Sequence, residues 1–201
     1  MEMNRKRWLD IGLVTLVLLL CTVTIVLTLE NRSLKNTIND LTSPLQPTND
    51  IVGRDATPIR ILNLNNQIDE IIFTNTKIPI LLFVFNTSCP HCEHTLLIWN
   101  SVVNNLDSGV CNVAGLSLDD VEKTRSYMLQ KNIAFNVASI HDSTFSSNYG
   151  IGGIPQTILV SQQGKVKQIW SGKLQISHIS NILDAINDST IYEYHTDMVK
   201  E

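Results

Sequence analysis

Cys89 and Cys92 stand two residues apart in the run Ser88-Cys89-Pro90-His91-Cys92. Cysteines at that spacing can exchange a disulfide with a partner's thiols, close a static disulfide, or hold a metal ion. Before them lies a continuously apolar stretch, Ile80 to Phe85 (ILLFVF), and after them Leu96, Trp99, Val103 and Leu106 recur at helical spacing. The first predicts a strand covered on both faces, the second a helix opening at Pro90. Cys89 then falls at a helix N-terminus, where exposed N–H groups and the helix dipole favour an anion, so its thiolate forms at lower pH. Cys92, one turn along, is placed to attack a mixed disulfide at Cys89 and release the product. Pro90 suits the first turn, where its missing N–H costs nothing. A protonated His91 near the sulfur would stabilise the thiolate further, hence the reduced state, and make the disulfide a stronger oxidant.

The competing readings use the same residues. Cys89, Cys92 and His94, with His141 as fourth ligand, would make a zinc or copper site, and the chain a metal carrier. A structural zinc site more often shows a second CxxC or HxxxH pair, and none is present. Haem attachment would need a histidine directly after Cys92, where Glu93 stands. Redox exchange is the reading the pattern favours, with Cys89 and Cys92 as catalytic pair and no cofactor or metal beyond it.

The elements that must position the pair follow from periodicity. Ile59 to Leu64 alternates as a half-buried strand does, and Val110 to Leu116 is another strand. Asp119 to Lys131 predicts a helix with Asp119 and Asp120 in its first turn. Asn136 to Ile140 predicts a short strand, and Ser143 to Tyr149 a short helix. Gln156 to Val160 and Val166 to Trp170 flank a five-residue turn containing Gly164, a hairpin signature. A last helix carries Ile176, Ile179, Leu183 and Ile186, and the tail 188–201 shows no strong pattern. Strands alternating with helices and ending in a hairpin predict an α/β mixed sheet. Cys111 reads as a buried, inert thiol, Trp99 and Trp170 as core, and His178 and His195 as solvent-facing.

Four cysteines among 201 residues are too few for a disulfide-stapled scaffold, and a net charge of −4 excludes a general nucleic-acid binder. No charged residue interrupts Ile11 to Leu29, enough helix to cross a bilayer core. Arg5, Lys6 and Arg7 precede it, with Trp8 as an interfacial anchor, so the N-terminus (1–10) is expected in the cytoplasm and everything after Leu29 outside. A cleaved signal peptide is disfavoured by the length of the run and the lack of a small-x-small cleavage site. A lipoprotein cysteine at Cys21 is disfavoured by Leu20 before it. The expected organisation is a membrane anchor at 11–29, a linker at 30–50, a catalytic domain at 51–187 and a tail at 188–201.

From Ile51 to Ile186 the sequence resembles the thioredoxin superfamily, specifically its membrane-anchored TlpA/ResA branch of bacterial thiol–disulfide oxidoreductases. Three stretches carry the resemblance: Leu81 through Cys92, Phe135-Asn136-Val137 with the short helix ending at Tyr149, and Tyr149 through Thr157 followed by the Gly164 hairpin and Gly172. It implies a thioredoxin-like fold and a cis proline at Pro155, with Ile154 and Pro155 shaping the substrate groove beside the CxxC. Its partners would be cysteine-containing protein substrates, as in disulfide formation or cytochrome c maturation, and a redox partner that recycles the pair. The chain departs from the pattern in places. Ser88 replaces the aromatic residue common before the first cysteine. Phe83 stands where thioredoxins carry a buried acid, and Thr95 where some members place a glutamate. The dipeptide is that of the strongly oxidising DsbA type, whereas the scaffold is that of a reductase-type branch. A peroxiredoxin is disfavoured because Leu82 stands seven positions before Cys89, where its Pro-xxx-Thr-xx-Cys arrangement needs proline.

Overall fold

A computed structural model describes residues 13, 16–28, 30, 51–74 and 76–197. The chain divides into two units, residues 1–43 and 44–201. In the first, residues 16–28 are helical and exposed. Among the described residues no helix is long and apolar enough to cross a membrane. Positions 11, 12, 14, 15 and 29 of the expected anchor lie outside the described residues, as do Trp8 and most of the linker.

The second unit holds seven strands and four helices among its described residues: β1 (Ile59–Leu62), β2 (Ile68–Ile71), β3 (Ile80–Phe85), α1 (Pro90–Asn104), β4 (Asn112–Ser117), α2 (Val121–Gln130), β5 (Asn136–Ile140), α3 (Phe145–Asn148), β6 (Gln156–Val160), β7 (Val166–Ser171) and α4 (Ser177–Asp197). They form one mixed sheet in the order β2-β1-β5-β4-β3-β6-β7. β3 pairs in parallel with β4 and antiparallel with β6, and every one of its residues is buried. Strand side chains alternate between faces. Ile80, Leu82 and Val84 accordingly enter one apolar cluster with Ile59, Phe145 and Ile158, while Leu81, Phe83 and Phe85 enter the other with Leu96, Trp99 and Ile182. The unbroken apolar run of β3 is thus two half-strands of core, one for each face, and each fully buried side chain contributes roughly 1.5–3 kcal/mol.

The second cluster fixes α1. Phe83 stacks on Trp99 with ring centroids 4.8 Å apart, Phe135 meets Phe83 edge-on at 4.9 Å, and the Trp99 indole N–H donates to Thr157 Oγ1 at 2.8 Å. The helix is therefore tied to β3 by its aromatic face and to β6 by a buried hydrogen bond.

Several boundaries differ from the sequence reading. α2 begins at Val121, with Asp120 as its N-cap accepting the Lys123 N–H, so Asp119 stands before the helix. The 188–201 segment is not a separate tail through Asp197, because α4 continues that far. Ile176 precedes α4 and is 79% exposed, whereas Ile179, Leu183 and Ile186 pack on the core as expected, joined by Ile182 and Ala185. β2 is an additional edge strand, paired with β1 through a turn in which Asn63 Oδ1 accepts the Asn65 and Gln67 N–H groups. His178 is half-buried rather than solvent-facing, and its Nδ1 accepts the Gln175 N–H at 2.9 Å. His195 lies among residues whose side chains are not described.

Gly115 in β4 faces Phe135, and a Cβ there would stand 2.7 Å from the Phe135 ring and 2.8 Å from Val137 Cγ2. Gly115→Ala should lower unfolding stability by about 1–3 kcal/mol, the usual cost of overpacking, read as the shift of the denaturant midpoint. Cys111, half-buried just ahead of β4, has its thiol pushed up to about 12 by burial, against a smaller opposing effect from the Leu81 backbone. Since the thiolate is the nucleophile, Cys111 should stay unmodified by iodoacetamide at neutral pH in the reduced, folded protein while Cys89 is alkylated, and should react once the protein is unfolded. Mass spectrometry of the two samples distinguishes them.

Candidate redox site

The chain leaves the sheet at the end of β3, crosses Asn86-Thr87-Ser88 and enters α1 at Cys89. Cys89 is the N-cap, in extended conformation (φ −85°, ψ 112°), and Pro90 takes the first helical position. The Cys92 N–H donates to Cys89 Sγ at 3.1 Å, so the sulfur occupies the place of a capping oxygen. The two cysteines form a disulfide with Cα atoms 5.2 Å apart. Their surroundings differ sharply: Cys89 is half-buried at the surface, whereas Cys92 is 1% exposed and packs in the second core cluster.

On the far side of the pair, the Ile154–Pro155 peptide bond is cis, as the resemblance implied. Ile154 O lies 4.0 Å from Cys89 Sγ. This loop is held from behind, where the Gly172 N–H donates to Pro155 O at 2.8 Å and joins it to the end of β7. Gly152 and Gly153 ahead of it are exposed, and Pro155 itself is buried. Pro90 and His91 are exposed on the first turn of α1.

The places where an acid would serve Cys92 are filled otherwise. Phe83 is fully buried within the Trp99–Phe135 aromatic group. Thr95 is fully buried, and its Oγ1 accepts the Leu174 N–H at 3.3 Å, which fastens the β7–α4 connection to α1. Glu93 is exposed and ion-paired with Lys131. Along that outer face of α1 runs an open groove of about 490 Å³ lined by Pro90, Glu93, His94, Leu97 and Lys131.

The structure does not assemble the metal alternative. His94 is exposed on α1, His141 is exposed beyond β5, and among the described residues no group of three or more His, Cys, Asp or Glu side chains could hold a metal ion.

One residue at the site escaped the sequence reading. Asp119, placed there in a helix turn, instead reaches across to the loop before Cys89. Its carboxylate accepts the Asn86 side-chain N–H at 2.9 Å, the Thr87 N–H at 2.7 Å and the Thr87 hydroxyl at 2.8 Å. Nothing in the local pattern distinguishes it from Asp120, the true cap; only the parallel pairing of β3 with β4 puts the two strand ends side by side.

Residues 52–169, more than half of the chain, match the AhpC/TSA family model. No curated protein matches the sequence. Among solved structures, a Chlorobium tepidum protein assigned as the thiol:disulfide interchange protein DsbE superposes with a TM-score of 0.60 at 17% identity, over 69% of this chain and 97% of its own. The thioredoxin domain of a thiol-disulfide oxidoreductase from Bacteroides vulgatus gives 0.55 at 18% identity, over 66% and 95%. StoA from Bacillus subtilis gives 0.52 at 14% identity, over 62% and 95%. At such identities the likeness is one of fold, and the fold is thioredoxin-like. With a family match that runs from ahead of β1 into β7 and a CxxC at the start of α1, this chain belongs to the AhpC/TSA family of the thioredoxin superfamily.

Proposed function

We propose that the chain is a thiol–disulfide oxidoreductase that exchanges disulfides with cysteine-containing protein substrates through Cys89 and Cys92. The observation that carries this reading is the asymmetry of the pair: one sulfur at the surface and capped by a helix N–H, the other buried. Access decides which sulfur of a disulfide is attacked. A substrate thiolate therefore attacks Cys89 Sγ, forming a substrate–Cys89 mixed disulfide and releasing Cys92 as thiolate. A second substrate thiolate then attacks the substrate sulfur, freeing Cys89 as thiolate. The substrate is oxidised by two electrons and the pair reduced. Run backwards, Cys89 thiolate attacks a substrate disulfide and Cys92 resolves the mixed disulfide, which oxidises the pair and reduces the substrate. In either direction Cys89 is the thiolate that the N-terminus of α1 stabilises.

Without a carboxylate at position 83 or 95, the Cys92 proton passes to water or to the partner. The exposed Gly152-Gly153 backbone and Ile154 beside Cys89 offer the edge on which a substrate segment would lie, with Pro155 behind it. His91 is the tuner of the couple, and the partner that recycles it is a second thiol protein. Peroxide chemistry is disfavoured by the site itself, since Leu82 is buried in β3 where the peroxiredoxin proline would stand.

We further infer that residues 11–29 anchor the domain to a membrane, with the catalytic unit on its outer face. Support comes from the uncharged run and from the basic residues before it. Resistance of the protein to alkaline carbonate extraction would support the anchor; full release into the supernatant would remove it.

The central test is a pair of serine variants. Cys92→Ser should accumulate a mixed disulfide between Cys89 and substrate, visible as a reducible higher-mass band, because nothing resolves it. Cys89→Ser should give no such band and lose exchange activity by at least a hundredfold, an order set by the loss of the attacking sulfur. Trapping through Cys92 instead would reverse the roles. The reduction potential of the pair decides its direction: a value near −120 mV marks a donor of disulfides, and one near −270 mV a reductant. His91→Ala should move the value toward the reductant end.

A further inference from the structure

We propose that Asp119 is the positioning residue of the redox centre, a fixed carboxylate that holds the loop 86–88 in the shape that makes Cys89 the cap of α1. The inference rests on the reading of Cys89 as the exchanging sulfur. Three residues separate the end of β3 from Cys89, and their conformation sets where Cys89 Sγ points. Asp119 accepts from both donors of Thr87, its N–H and its hydroxyl, and from one side-chain N–H of Asn86. Asn86 relays the constraint: its Oδ1 accepts the Ser88 N–H at 2.8 Å and the Ser88 hydroxyl at 2.6 Å, and its backbone O accepts the Cys89 N–H at 3.2 Å. Every residue of the loop thus hangs from one carboxylate, directly or through Asn86.

The carboxylate is itself anchored. The Asp119 N–H donates to Ser117 Oγ at 3.2 Å, and Ser117 belongs to a chain of buried hydroxyls. Ser139 O–H donates to Thr124 at 3.0 Å, and Thr124 Oγ1 lies 2.8 Å from Ser117 Oγ. All three hydroxyl residues are at most 2% exposed. Buried polar groups that are satisfied are rigid, so Asp119 projects from a fixed base at the end of β4. The constraint runs from the sheet to Asp119, to the loop, to Cys89, and ends at the Cys92 N–H.

Two effects of Asp119 would have opposite signs. Acting as a bare negative charge, it would oppose a thiolate at Cys89, and its removal would favour the reduced pair. Acting by position, it keeps the helix cap that favours the thiolate, and its removal would favour the disulfide. The hydrogen-bond pattern also defines a rescue. Exchanging the two partners, Asn86→Asp with Asp119→Asn, leaves a carboxylate at 86 to accept from Ser88 and from the new amide, and an amide oxygen at 119 to accept from Thr87.

The experiment uses the full chain in detergent micelles, with two readouts at one pH: the equilibrium with glutathione, and the rate of Cys89 alkylation after chemical reduction. Asp119→Ala should shift the equilibrium toward the disulfide by about fivefold and slow alkylation by a similar factor, the size of a lost helix cap. Asp119→Asn should shift both the same way, and the exchanged double variant should return to within about twofold of the native protein. Unchanged values in folded Asp119→Ala, a shift toward the dithiol, or a double variant no better than Asp119→Asn would each overturn the proposal. Should Asp119→Ala fail to fold by circular dichroism, the comparison of Asp119→Asn with the double variant decides alone. A native pair that does not exchange with glutathione would count against the oxidoreductase reading, while the alkylation rates would still report on positioning.

Discussion

The contact between the Cys92 N–H and Cys89 Sγ is a small interaction on which the rest of the site depends. It exists only if α1 begins at the surface mouth of β3, with its first free N–H groups turned toward the sulfur. That placement is secured far from the cysteines, by Leu96, Trp99 and Val102 packed on the odd-numbered face of β3 and by the Trp99 indole bonded to Thr157. Burying such large side chains makes the helix position expensive to change. A weak polar contact is thereby held in place by a strong apolar one.

The same packing suits the uncharged side chains at positions 83 and 95. An acid at position 83 would face the Trp99 and Phe135 rings, where an unpaired carboxyl costs several kcal/mol or stays protonated. Thr95, a neutral hydroxyl, serves instead to fasten the chain after β7. The centre consequently relies on backbone donors, the start of a helix and loop geometry to favour its thiolate. Charge enters the loop at one half-buried position, Asp119, where three donors meet it.

How much of this was legible depended on whether a signal was local. β3, β5, β6, β7 and the start of α1 follow from apolar runs, from Pro90 and from the Gly164 turn, since each residue's neighbours in sequence are also those that shape it. β2 escaped because Ile68-Asp69-Glu70-Ile71 is a short, mostly exposed edge with no apolar alternation; the Asn-rich turn before it was the available clue. The start of α4 was misjudged because the spacing of Ile176 with Ile179 extends the helical pattern one residue too far back, and its end escaped because the residues after Asp188 carry no strong apolar pattern. Asp119 and Asp120 are chemically identical neighbours, and the capping rule applied to the pair could not divide them between a helix and a loop.

By itself the sequence placed the Cys-Pro-His-Cys motif between a buried strand and a helix, because residue type and spacing along one stretch of chain carry that much; the family and the proline beside the motif came with the resemblance. Tertiary structure alone decided which cysteine is exposed, what Phe83 and Thr95 pack against and bond, that no metal-binding group forms among the described residues, and that Asp119 governs the loop. Those depend on β4 lying parallel beside β3 and on which side of α1 meets the core. Such contacts join residues thirty to ninety positions apart, where no local periodicity carries information.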